Sequence, residues 1–279
     1  MNKDINRNMA LINAYRMDGL GNNFLIIDRR LNSLELSKKK ITDLANKKVC
    51  PFDQLITLEK NSDNLYPIKI FNPDGIEVSA CGNGARCVAY LISQENNQKK
   101  LSIKTSERVL DAEIVGEKCV KIDMGKAKFD WKEIPLSKEI KTDHISLDFV
   151  KENFGNGFCL NIGNPHIVFF VKNCSKINIK DLGPKIENNK IFPERVNVTF
   201  AEILDKENIK VNVWERGAGL TKACGTAACA TAKAAWSQGL ANVNSNVHFK
   251  YGSLQIDCTT DNIFMTGPVS EVKKINIDI

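Results

Sequence analysis

The sequence predicts an α+β protein of two pseudo-twofold-related domains, each a curved, mainly antiparallel sheet wrapped around a central helix. Three observations predict it. The tripeptide Ala-Cys-Gly occurs twice, and its cysteines, Cys81 and Cys224, lie 143 residues apart in a chain of 279. Other features recur at an offset of 142 or 143: Gly21-Asn22 with Gly163-Asn164, Gln54 with Asn197, Asn72 with Glu215, and Met124-Gly125 with Thr266-Gly267, the signature of an internal duplication. Finally, strand signals dominate, and each tripeptide opens one apolar helical run, GARCVAYLI or AACATAKAAW, apolar enough to be buried against a sheet.

Taken along the chain, strands are expected at Phe24 to Asp28, Gln54 to Glu59, Pro67 to Asn72, Leu101 to Thr105, Cys119 to Met124 and His166 to Val171. The second half continues with VNVTFAEIL, IKVNVWE, VHFKY, SLQIDC and NIFMTG, each rich in β-branched or aromatic residues and bounded by Gly, Asn, Asp or Pro. Helical patterns are few. Residues 37 to 48 offer Ser37 as N-cap with Ile41, Leu44 and Ala45 on one face, and a counterpart is expected around 180 to 188. The two long helices begin just after Cys81 and Cys224. The repeats end near Gly125 and Gly267, which places an N-terminal domain at 1–123 plus 267–279 and a C-terminal domain at 124–266, with the site in the cleft between them. In the tail, Val269, Val272, Ile275 and Ile277 alternate, so an extra strand should return to the first domain. Residues 1 to 13 read as a loose polar extension.

Composition narrows the function classes. With 43% apolar residues the chain can bury a proper core. No window approaches the roughly 18 apolar residues of a membrane span, and the start lacks the apolar core of a secretory signal. The net charge of +6 comes from dispersed lysines such as Lys38 to Lys40 and Lys99-Lys100. No aromatic residues interleave with them, so a solvated surface is expected and no nucleic-acid partner. Nine cysteines without an export signal imply reduced thiols in the cytoplasm. Their spacings, C-x5-C at Cys81 to Cys87 and C-x4-C at Cys224 to Cys229, do not suit zinc, and no cofactor motif is evident. A homodimer stays open.

A cysteine just ahead of a helix sits beside unpaired backbone N–H groups at the positive end of the dipole, which is expected to lower its pKa from about 8.5 to roughly 3.5–7.5. Such a thiol can act as acid or base near neutral pH. The N–H groups of Gly82, Asn83, Gly225 and Thr226 offer two anion sites suited to a carboxylate. Two thiols facing one ligand suggest a two-base reaction, in which a thiolate removes a proton from one face of a carbon and a thiol returns one to the other. The repeat also collects Asn22 and Asn164, Gln54 and Asn197, Asn72 and Glu215, with Arg216 adjacent. Arg216 suits bidentate carboxylate binding and Glu215 an ammonium. Their absence from the first half, which has Asn72-Pro73 there, suggests an asymmetric ligand with a second charged group, such as an amino-acid head.

These residues resemble the diaminopimelate epimerase family, over almost the whole chain. The blocks are DGLGNNF from Asp18, FDQL from Phe52, FNPDG from Phe71, ACGNGARC from Ala80, GNPH from Gly163, ERVN from Glu194 and ERGAGLTKACGTAAC from Glu215. The resemblance implies a cofactor-independent epimerase converting LL- to meso-diaminopimelate in the supply of lysine and peptidoglycan precursors. It implies that Cys81 is the proton donor and Cys224 the acceptor in that direction. Asn22, Gln54, Asn72, Asn164, Asn197, Glu215 and Arg216 match substrate-binding positions, and Gly82, Asn83, Gly225 and Thr226 the cradle of the reacting carboxylate. His166 and Glu215 match thiol-tuning positions. Cys87 and Cys229, inside the helices, are expected in the core, and His144 and His248 are expected to be structural. The family usually has His at Asp18, Asp at Asn23, Glu at Leu220 and often Gly at Ala227. The readings set against it are a related racemase or isomerase of the same architecture, such as proline racemase or the phenazine-type isomerases, a dithiol redox protein, and a pure binding module.

Overall fold

The computed structural model describes residues 12–31, 34–47, 51–78 and 81–277. Contacts divide the chain into two compact units, one running to Ile114 and taking back the segment from Val269, the other Val115–Pro268. The first contains β1 (Ile12–Gly19), β2 (Asn22–Asp28), α1 (Lys38–Asn46), β3 (Gln54–Leu58), β4 (Leu65–Phe71), β5 (Glu77–Val78), α2 (Gly82–Asn96), β6 (Lys100–Lys104) and most of β7 (Val109–Gly116). The second contains β8 (Cys119–Lys126), α3 (Asp148–Phe154), β9 (Phe158–Asn161), β10 (Pro165–Phe170), α4 (Ile179–Glu187), β11 (Asn197–Ile203), β12 (Asn208–Glu215), β13 (Gly219–Leu220), α5 (Gly225–Ser237), β14 (Asn244–Phe249), β15 (Gly252–Asp257) and β16 (Asn262–Pro268). The last strand, β17 (Lys273–Ile277), pairs antiparallel with β1, as the alternation of the tail anticipates.

The duplication is written in the strand registers. Phe24 of β2 lies opposite Gln54 of the parallel β3, and His166 of β10 opposite Asn197 of the parallel β11. Leu55 pairs with Phe71, and Val198 with Trp214. Phe71 then pairs with Glu77, and Trp214 with Leu220. Every one of these pairings recurs 142 or 143 residues later.

Each unit has one buried helix. In α2 every residue from Gly82 to Ser93 is buried. In α5 Ala227, Ala228, Ala230, Ala232, Ala234 and Ala235 are buried, and the helix contacts β9 to β12 and β14 to β16. Alanines suit that position because short side chains let strands approach the helix while costing little rotamer entropy. The smaller helices lie outside. Ser37 caps α1, accepting from Lys40 N–H at 3.3 Å, and Ile41 and Leu44 join Leu25, Ile27 and Leu55 in one apolar cluster. Its counterpart α4 packs Ile179 and Ile186 against Ile167, Val198 and Phe200.

Three expectations need correction. The first boundary falls nine residues before the expected one, because β8 is hydrogen-bonded along its length to β16 and so belongs to the second unit. The N-terminal extension was expected to reach residue 13, yet Ile12 and Asn13 already pair with Ile277 and Asn276; residues 1–11 lie outside the described ones, as does Cys50. Helix α3 is not signalled by the sequence: it is short, buries only Val150 and has no side-chain cap, so it carries neither period nor boundary signal. Among the described residues no helix is long and apolar enough to cross a membrane.

Candidate functional site

In the first unit Cys81 is the N-cap of α2, with extended backbone (φ −148°, ψ 105°) and its sulfur accepting from the Gly84 N–H at 3.4 Å. Gln54, at the start of β3, donates through Nε2 to Asn72 Oδ1 at 3.3 Å, which joins the strand ahead of Cys81 to its neighbour. Asn22 follows Gly21, whose φ of +85° gives the β1–β2 connection a left-handed turn. Gly19, opposite Asn22, backs onto α2: a Cβ there would stand 3.3 Å from Asn83 Cβ. Gly82 and Asn83 are buried at the helix start.

The second unit repeats this frame with a denser polar network. Cys224 is the N-cap of α5 (φ −131°, ψ 113°) and is 5% exposed. Its sulfur lies 3.4 Å from Thr226 Oγ1 and is hydrogen-bonded to the Glu215 carboxylate. Thr221 Oγ1 donates to Glu215 Oε1. Asn197 accepts from the Arg216 N–H at 2.9 Å and donates to the Pro165 carbonyl at 2.8 Å. Next to Pro165, fully buried His166 meets Asn164 Oδ1 through Nε2 at 2.9 Å, after Gly163, whose φ of +92° matches Gly21. Arg216 donates from Nη1 to the Glu194 carbonyl at 3.1 Å. Asn164, His166, Asn197, Glu215, Arg216, Cys224, Gly225 and Thr226 therefore form one connected group.

The electrostatics overturn one expectation. Burial pushes the Cys224 thiol well above its ordinary value, the Glu215 charge adds to the rise, and the Thr226 hydroxyl and the Ala227 N–H oppose it. For this thiol, loss of solvent outweighs the helix start. Glu215 is itself raised by burial, against the lowering hydrogen bonds from Thr221 and Cys224. Burial, assisted by the Arg216 charge, lowers His166 to about 3, so the ring is neutral. With Nε2–H donating to Asn164, its buried Nδ1 has no hydrogen-bond partner among the described residues. Cys87 and Cys229 are fully buried core residues, as expected, and burial raises Cys87. His248 has a structural bond to Asn208 at 2.8 Å, and His144 an exposed pairing with Asp143. Sequence reasoning missed Thr221 and Glu187, the latter a buried carboxylate behind Arg216.

A family profile described as diaminopimelate epimerase matches residues 14–130 and 158–272. The chain belongs to the diaminopimelate epimerase family. A diaminopimelate epimerase of Pelagibacter ubique is 44% identical over 272 residues, spanning 96% of this chain and 99% of that one. One from the Wolbachia of Brugia malayi is 43% identical, spanning 91% and 96%. Among solved structures, a Bacillus anthracis phenazine biosynthesis protein of the PhzF family superposes with a TM-score of 0.69 at 18% identity, covering 97% of this chain and all of that one. A hydroxyproline epimerase from Agrobacterium vitis does so with a TM-score of 0.62 at 11% identity, covering 96% and 92%. At such identities these two share the fold, the α+β duplication described above, with the diaminopimelate epimerase family.

Proposed function

We propose that this protein interconverts LL- and meso-2,6-diaminopimelate without a cofactor, one cysteine removing the α-hydrogen and the other returning a proton to the opposite face. The observation that carries this reading is a cysteine at the same place in both repeats, each the N-cap of a buried helix. In the LL to meso direction Cys224 is the base and Cys81 the acid. Cys224 rests as a thiol because burial raises it, and the Glu215 carboxylate, already hydrogen-bonded to it, is the acceptor for its proton. Thr221 holds that carboxylate in place. His166, neutral and buried beside Asn164, adds no second positive charge to the neighbourhood of Arg216.

The helix starts supply N–H groups of Gly82, Asn83, Gly225 and Thr226 to the reacting carboxylate, which gains charge as the α-hydrogen leaves. A preorganised donor of this kind is worth about 3 kcal/mol to a transition state. Asn22, Gln54, Asn72, Asn164 and Asn197 surround the amino-acid heads, and Arg216 takes the distal carboxylate. The reaction serves lysine and peptidoglycan precursor synthesis in the cytoplasm. The test is to incubate reduced protein with LL-diaminopimelate in heavy water and follow the α-position by NMR. Solvent deuterium should enter as the meso isomer forms. No exchange and no meso isomer would refute the proposal.

A further inference from the structure

Glu187, the last residue of α4, is 5% exposed, and its carboxylate receives three donors. Oε2 accepts from the Trp214 indole Nε1 at 2.7 Å, and Oε1 from the Gly217 N–H at 2.8 Å and from Arg195 Nη1 at 3.4 Å. The three donors lie on the segments that carry and hold Arg216. Trp214 and Gly217 flank the Glu215-Arg216 pair, and Arg195 follows Glu194, whose carbonyl accepts from Arg216 Nη1. Arg195 and Gly217 both have left-handed backbones, at φ +61° and +74°. For a residue with a side chain that conformation must be held by its surroundings, and the buried carboxylate is what Arg195 reaches.

Among its described residues the first repeat has nothing of the kind. The positions equivalent to Glu187 and Trp214 are Leu44 and Phe71, which share an apolar cluster. Both hairpins close with one equivalent local bond, Gly75 N–H to Asn72 O at 2.9 Å and Ala218 N–H to Glu215 O at 3.1 Å; the first adds only Ile76 N–H to Asp74 Oδ1 at 2.9 Å, whereas the second has its Gly217 N–H on Glu187. Among the described residues, a buried carboxylate accepts from the hairpin that carries an arginine and none from the other.

We infer that Glu187 is a positioning residue for substrate selection: it fixes the 214–217 turn so that the Arg216 guanidinium meets the distal carboxylate of a dicarboxylic amino acid. This rests on the reaction proposed above. Glu215 is anchored separately, by Thr221 and Cys224, so loss of Glu187 acts on binding and spares the proton transfer. Binding lost equally from ground and transition states appears in KM with little change in kcat.

The experiment compares full-length wild type, Glu187→Gln, Glu187→Ala, Arg216→Ala and the double variant Glu187→Ala/Arg216→Ala. It measures KM and kcat for LL-diaminopimelate, and its Kd by calorimetry on the same proteins. Glu187→Ala should raise KM and Kd at least tenfold with kcat within about threefold of wild type. Glu187→Gln, which keeps an oxygen for the Gly217 N–H, should raise both at least threefold and decides the matter if the alanine variant does not fold. On top of Arg216→Ala, Glu187→Ala should add little, the non-additivity expected of residues acting as one unit. Wild-type KM and Kd in the variants, a loss confined to kcat, or full additivity with Arg216→Ala would each overturn the inference. Absence of turnover in the wild type would instead strike the proposed reaction, and the Kd ratios would still judge Glu187.

Discussion

Behind β4 in the first half, Leu44 and Phe71 belong to one apolar cluster; 143 residues on, Glu187 accepts from the Trp214 indole. Ahead of Cys81 stands Asn72, bonded to Gln54; ahead of Cys224 stands Glu215, bonded to the thiol itself. Cys81 keeps partial exposure, whereas Cys224 is buried. The halves agree in the registers of the strand pairs around β3 and β11 and differ in where charge was introduced. A duplicated frame can hold two equivalent thiols, and the charges added to one copy suit a substrate whose two ends must be told apart.

The largest effect that would break this comparison comes from the thiols. Cys81→Ala and Cys224→Ala should each lower kcat for epimerisation by about 100- to 10,000-fold, the usual contribution of a positioned acid or base. Steady-state assays of LL-diaminopimelate turnover that found either variant near wild type would remove that half from the chemistry.

Next in size is Glu215→Gln, expected to cost about 100-fold or more in kcat through loss of the proton acceptor. The same change should lower the Cys224 pKa, because the carboxylate charge is one cause of its rise. Iodoacetamide labelling of Cys224 followed by mass spectrometry should therefore begin at lower pH than in wild type. An unchanged labelling profile would disconnect Glu215 from the thiol. Asn72→Ala, at the equivalent place, should leave that profile of Cys224 where it was.

A third effect concerns stability. His166 is held near 3 when folded and titrates near about 6.5 when unfolded. Between those values the unfolded chain binds the extra proton, so stability falls as pH drops from about 6.5 towards 3, by at most about 1.4 kcal/mol per pH unit from this group. Urea unfolding at pH 7 and 4.5 should show a smaller drop for His166→Gln than for wild type. The first-half equivalent is Phe24, which has no proton to bind.

The smallest effect separates the outer helices. Ser37→Ala removes a side-chain cap and should cost about 1 kcal/mol, whereas Asn178→Ala at the start of α4, where there is no side-chain cap bond, should cost less. Equal losses in urea midpoints would mean that the two helices are anchored alike.

Much of this was legible in the chain. Strands showed through alternation and bounding turn residues, and Gln54, Asn72 and Asn197 showed because they recur at one offset. Glu187 did not, for the same reason: its repeat partner is Leu44, and its three donors lie 8, 27 and 30 residues away. The raised Cys224 thiol was hidden as well, since helix polarity can be read locally while desolvation depends on what the whole unit packs around the sulfur. Helix α3 lacks both cap and stripe, and β8 shows its allegiance only through pairing with β16.

The central claim is a division of labour, with Cys224 removing the α-hydrogen of the LL isomer and Cys81 returning one from the other side. The most direct measurement is α-proton NMR of LL-diaminopimelate in heavy water with each single-cysteine variant. Cys81→Ala, which keeps the base, should wash deuterium into the LL isomer without making meso product, and Cys224→Ala should leave the substrate protiated. Meso product forming from either variant at a rate near wild type, or exchange by Cys224→Ala and none by Cys81→Ala, would contradict the account.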